Sequence, residues 1–151
     1  VRRINFPFLA IFLLVVLVLC GAVHLLHGYQ LRRNARIFLQ EARSAKEAKN
    51  LGAAIQHYRA YLELAPEDME ALAEYGLLLA DARAWGVAYG TMERLLRTER
   101  HRADIRRRLV DVAMALERFR DAREHLLFHL LRSTPEDPDL LEKLGQCEAA
   151  L

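Results

Sequence analysis

Histidines, cysteines and a knot of arginines are the side chains here whose chemistry reaches beyond packing. Glu124, His125 and His129 fall within six residues, and two histidines four apart on a helix share a face, the spacing that can hold zinc. Zinc helices of metalloproteases carry the glutamate between the histidines, however, and here it stands before them, so packing and surface roles are expected. In the same register His129 is expected to point inward. His24 and His27 lie three apart in an apolar stretch without an accompanying carboxylate, and read as residues at the level of lipid headgroups. Cys20 and Cys147 are too far apart in sequence to form a disulfide framework. Between Arg97 and Arg108 six arginines, at 97, 100, 102, 106, 107 and 108, face Glu99 and Asp104. A solvated, partly paired surface is the first reading; an acidic partner or anionic headgroups are the second, and nucleic acid is not expected because no aromatics interleave the charges. No phosphate-cradling glycine loop, paired-cysteine site or serine elbow is present. The chain is therefore expected to be no enzyme, with no catalytic residue, metal or cofactor.

The elements that hold these residues are of two kinds. The chain has 151 residues, 53% hydrophobic and 28% charged, with a net charge of +2. The apolar residues are concentrated near the start: from Ile4 to Leu31 there is no Lys, Arg, Asp or Glu. A bilayer core of about 30 Å needs roughly 20 apolar helical residues, and this stretch supplies them, with Pro7 tolerated in a first helical turn. The expectation is a tail at 1–3, a transmembrane helix at 4–29 contacting the lipid bilayer, and a linker or continuous helix at 30–34. A cleaved signal peptide is the rival, since Cys20, Gly21 and Ala22 are small, but apolar character resumes at Val23, Leu25 and Leu26. Arg2 and Arg3 before the stretch nearly balance Arg32, Arg33 and Arg36 after it. Sidedness then rests on the common short-tail arrangement, a single-pass membrane protein with its larger part on the non-cytoplasmic side.

The remainder is charged and periodic. Ala54, Ala88 and Ala122 stand 34 residues apart; Tyr58, Met92 and Leu126 follow four residues later, then Leu62, Leu96 and Leu130. One helical face is written three times. Upstream of each alanine a second apolar periodicity marks a partner helix, so helices are expected over 30–49, 53–64, 69–82, 87–97, 103–117, 120–132 and 140–150. Asn50 with Gly52, Trp85 with Gly86, and Phe119 mark the turns within pairs, and Pro66 and Pro135 the breaks between them. The break from Thr98 to Arg102 has no proline, and Pro135 comes one residue late. Gly76 reads as a point of close approach between paired helices.

A period of 34 built from paired helices resembles the tetratricopeptide repeat (TPR). The resemblance covers residues 35–151. It implies an all-α, TPR-like α-solenoid of antiparallel helix pairs, with repeats at 35–68, 69–102 and 103–137 and the first helix of an incomplete repeat at 138–151. Glu41, Tyr61, Leu95 and Arg100 depart from the motif of the first two repeats. In this family the first helices line a concave groove that takes a protein or peptide partner. That implies Arg36, Leu39, Arg43 and Lys46 in the first repeat, Glu70, Ala73, Leu77, Ala80 and Asp81 in the second, and Asp104, Arg107, Asp111 and Met114 in the third. The lysine and asparagine set with which some members clamp a partner's terminal carboxylate is absent. The resulting expectation is a membrane-anchored interaction scaffold. The alternatives are a regulatory or assembly arm of a larger membrane-bound enzyme or complex, and self-association.

Overall fold

The helices follow from apolar stripes at three- and four-residue spacing, cut at fixed intervals by turns that no helix can cross. The computed structural model describes residues 6–151, with side chains at 12–21 and 33–151. In order the elements are α1 (Phe6–Glu47), α2 (Leu51–Leu64), α3 (Met69–Asp81), α4 (Trp85–Thr98), α5 (Ala103–Ala115), α6 (Phe119–His125), which runs on into a wider π-helical turn (Leu126–Leu130), and α7 (Pro138–Ala150). No strand occurs among the described residues. Residues 30–34 belong to α1 and form no separate linker.

Among the described residues no helix is long and apolar enough to cross a membrane. The described apolar side chains of Phe12–Leu19 are exposed. The expectations of a transmembrane helix at 4–29, of a bilayer partner there, and of a single-pass membrane location with the repeats on the non-cytoplasmic side are corrected accordingly. Residues 1–5, and the side chains of 6–11 and 22–32 with His24 and His27 among them, lie outside the described residues.

The first helices α1, α3 and α5 end in the same way. Lys49, Arg83 and Glu117 adopt left-handed backbone with φ of 58°, 58° and 56°. Their N–H groups donate to Lys46, Ala80 and Met114 carbonyls, and the next residues, Asn50, Ala84 and Arg118, donate back to Ala45, Leu79 and Ala113. This double closure satisfies carbonyls that a helix end leaves orphaned. The chain then reverses directly into the second helix. Asn50 also caps α2, its Oδ1 accepting from Ala53 N–H at 3.2 Å, whereas Ala84 and Arg118 make no side-chain cap.

Between pairs the capping residues are Asp68 and Asp137. Asp68 accepts from Ala71 N–H at 3.0 Å and from the Tyr61 hydroxyl at 2.6 Å, which explains the tyrosine that departs from the motif. Arg102 holds the corresponding place in the junction without proline and makes no side-chain cap; its guanidinium pairs with Asp104 at 2.9 Å, Glu70 at 3.0 Å and Glu99 at 3.2 Å.

Successive helices stack so that α2 packs on α1 and α3, α4 on α3 and α5, and α6 on α5 and α7. Two clusters result. One gathers Ala42, Ala54, Tyr58 and Leu78 near α1 and α2; the larger runs from Leu72 through Met92, Leu95, Leu109 and Leu126 to Leu140 and Cys147. Gly76 lets α3 and α4 meet, because a Cβ there would stand 3.2 Å from Met92 Cγ.

The late proline has a structural counterpart. The turn residues 49, 83 and 117 keep the 34-residue spacing, but the caps at 68, 102 and 137 gain one residue in the last interval. The π-helical turn lies in that interval, its Leu131 N–H donating to Leu126 O at 2.9 Å. Such a turn accommodates one extra residue within a helix. As a result Leu130 is buried and His129 exposed, which corrects the expectation that His129 points inward.

Candidate functional site

The face formed by the first helices carries the residues assigned to a groove. Leu39, Leu77 and Met114 are half-buried, each resting on the core with one side open. Ala73 and Ala80 are buried at 1% and 0% exposure within the core. They correct the expectation that they contact a partner: small residues here let α3 seat against its neighbours and leave no surface to offer. Arg36, Arg43, Lys46, Glu70, Asp81 and Asp104 are exposed, and Arg107 and Asp111 half-buried.

Most of these charges already have partners in the next helix pair. Arg43 and Lys46 reach Glu74 at 3.3 and 2.9 Å. Glu70 and Asp104 both take Arg102, Asp81 takes Arg108, Arg107 binds Asp137 at 2.7 Å, and Lys143 binds Asp111 at 2.8 Å and Asp139 at 2.7 Å. The arrangement laces α1 to α3, α3 to α5 and α5 to α7. Exposed pairs of this kind contribute about 0–1 kcal/mol each, so their chief effect is to fix register between repeats.

Glu74 is the best-partnered of them and was missed from sequence. Burial opposes its charge, but bonds from the Tyr58 hydroxyl and Lys46, with Arg43 nearby, outweigh that and hold its carboxyl below the usual range. Tyr58 is fully buried, and burial followed by the bond to Glu74 raises its hydroxyl pKa. A buried hydroxyl requires an acceptor, and this requirement is the one sequence signal that could have pointed to a carboxylate opposite Tyr58. Asp104 and Asp137 are held low by Arg102 and Arg107 respectively.

The other singled-out residues meet away from this face. Arg97, Arg100, Arg106, His125 and His129 line one cavity of ≈ 310 Å³ with Glu93 and Leu96. The His125 and His129 rings are tilted by 36° with centroids 6.0 Å apart. Among the described residues no group of three His, Cys, Asp or Glu stands close enough to hold a metal. Of the six arginines, 102, 107 and 108 serve the register pairs, and 97, 100 and 106 line the cavity.

The helix order, the repeated turn and the stacking define an all-α, TPR-like α-solenoid. No protein-family model matches the chain, and no curated protein is similar to it in sequence. Solved structures resemble it in fold. The TPR domain of Arabidopsis OM64 superposes with a TM-score of 0.64 at 11% identity, over 78% of this chain and 96% of that one. MamA from Desulfovibrio magneticus gives 0.68 at 15% identity, over 78% of this chain and 66% of MamA. The first TPR of Spaghetti (RPAP3), bound to an HSP90 peptide, SRMEEVD, gives 0.61 at 14%, over 78% and 95%. At these identities the likeness is one of fold.

Proposed function

We propose that the chain is a non-catalytic scaffold that binds an extended protein segment along its first-helix face. The observation that carries this reading is the set of half-open apolar side chains, Leu39, Leu77 and Met114, one on each of the three successive first helices α1, α3 and α5. A few apolar anchors supply most of the affinity at such surfaces. The surrounding charges are engaged with one another, so a partner must compete with internal pairs for them, and selectivity rests on the apolar set more than on charge. The RPAP3 repeat, which shares the fold, is seen with a peptide; the segment taken here is of a different kind, since the lysine and asparagine clamp is missing. Leu77→Glu and Met114→Glu should each abolish recovery of partners that the parent retains in a pull-down, while Val87→Glu, exposed on α4, should recover the same set. Folding of each variant is checked by circular dichroism. Recovery of the parent's partners by both groove variants would overturn the reading.

A further inference from the structure

We infer that the cavity between α4, α5 and α6 is a binding site for a phosphate-type oxyanion, independent of the first-helix face. Its floor is Arg106, a charged side chain only 6% exposed. The guanidinium donates to the Arg100 carbonyl at 2.9 Å and meets His125 Nδ1 at 3.0 Å. Both partners are uncharged, so no carboxylate neutralises it directly. A buried cation without a paired anion is costly, and burial accordingly lowers the Arg106 pKa.

The ring geometry completes the floor. An arginine N–H must donate to Nδ1, so the neutral His125 ring carries its proton on Nε2, which faces Glu93 Oε1 at 3.4 Å. Glu93 is thereby drawn to the side of the cavity, where Arg97 also approaches it at 4.0 Å. Arg97 and Arg100 are exposed at the mouth and Leu96 forms an apolar wall. Three guanidinium charges against one carboxylate leave the lining with a net charge of two, the complement of a phosphate dianion. Arginine's planar fork suits the oxygens of such an anion. The wider winding of Leu126–Leu130 brings His129 to the rim, and π turns recur at functional sites.

The test is titration of the whole chain, at low ionic strength, with inorganic phosphate and with O-phosphoserine. Binding is followed by calorimetry and by the imidazole resonances of His125 and His129, with chloride at matched ionic strength as control. Saturable binding with movement of both imidazoles is expected, and loss of a charged hydrogen bond in Arg97→Gln or Arg100→Gln should weaken it about tenfold each. Arg59→Gln, on exposed α2 surface, should bind as the parent does. The mouth arginines are exposed, so their replacement leaves the packing intact where loss of Arg106 would not. Tighter binding of O-phosphoserine assigns the site to a phosphate ester on another molecule; tighter binding of inorganic phosphate assigns it to the free ion. A response equalled by chloride, or affinity unchanged in both mouth variants, overturns the proposal.

Discussion

At the scale of single residues, the clearest consequence concerns His125. Burial, then the Arg106 charge, lowers its pKa from the ordinary 6.5, against the opposing pull of Glu93 and Glu124; His129 beside it is also lowered. The folded chain therefore takes up these protons less readily than the unfolded chain. The stability they contribute is complete above about pH 6.5 and is lost as pH falls through the folded values. Urea denaturation between pH 7.5 and 5.5 should show stability declining toward acid. His125→Gln, which keeps an acceptor for Arg106, should flatten that decline; an unchanged slope would remove His125 as its source. The carboxylates of Glu74, Asp104 and Asp137 act in the same sense lower on the scale, below about pH 4. None of these environments was readable from the residues alone, because the groups that create them come from different helices. Glu93, Arg106 and His125 belong to α4, α5 and α6.

At the scale of the helix and its turn, strain is stored at three equivalent positions. Lys49, Arg83 and Glu117 are exposed and left-handed, a conformation that costs a residue with a Cβ about 1–2 kcal/mol. Glycine removes that penalty and returns part of the gain through its own flexibility. Each of Lys49→Gly, Arg83→Gly and Glu117→Gly should stabilise the chain by roughly 0.5–1 kcal/mol, and the three should add, since they lie in separate hairpins. Thermal unfolding of the single and triple variants measures this, and a destabilised triple variant would contradict it. The helices themselves were legible: the expected 53–64 and 69–82 correspond to Leu51–Leu64 and Met69–Asp81, because a three- and four-residue apolar stripe has one geometric meaning. The turn strain was not legible, since neither lysine, arginine nor glutamate advertises a left-handed backbone. The register pairs were hidden for a related reason. Their partners lie 27 to 32 residues apart, a separation that means contact only once the stacking is known.

For the whole molecule the decisive property is that each helix touches mainly its neighbours in order, so register errors would propagate. Removing one residue from the π-helical turn should be tolerated: without Phe128, which is exposed, Leu130 would take the inward place three residues after Leu126. Removing Gly90 from the regular α4 should be far more harmful, because Met92, Leu95 and Leu96 would leave the core. Comparing the two deletions by thermal unfolding decides the matter, and equal damage would refute the assignment of the extra residue to Leu126–Leu130. The sequence carried a single trace of this feature, the late Pro135, and that trace located the surplus only within an interval.

An added residue in an α-helix swings every later side chain by about 100°, enough to aim α7 away from the stack. The widened turn works as an expansion joint, taking up the slack on the outer helix while Leu140 and Cys147 stay seated in the core. A gene encoding this chain can thus gain a codon in that outer helix, and reshape the cavity wall beside it, without resetting the alignment of the first helices.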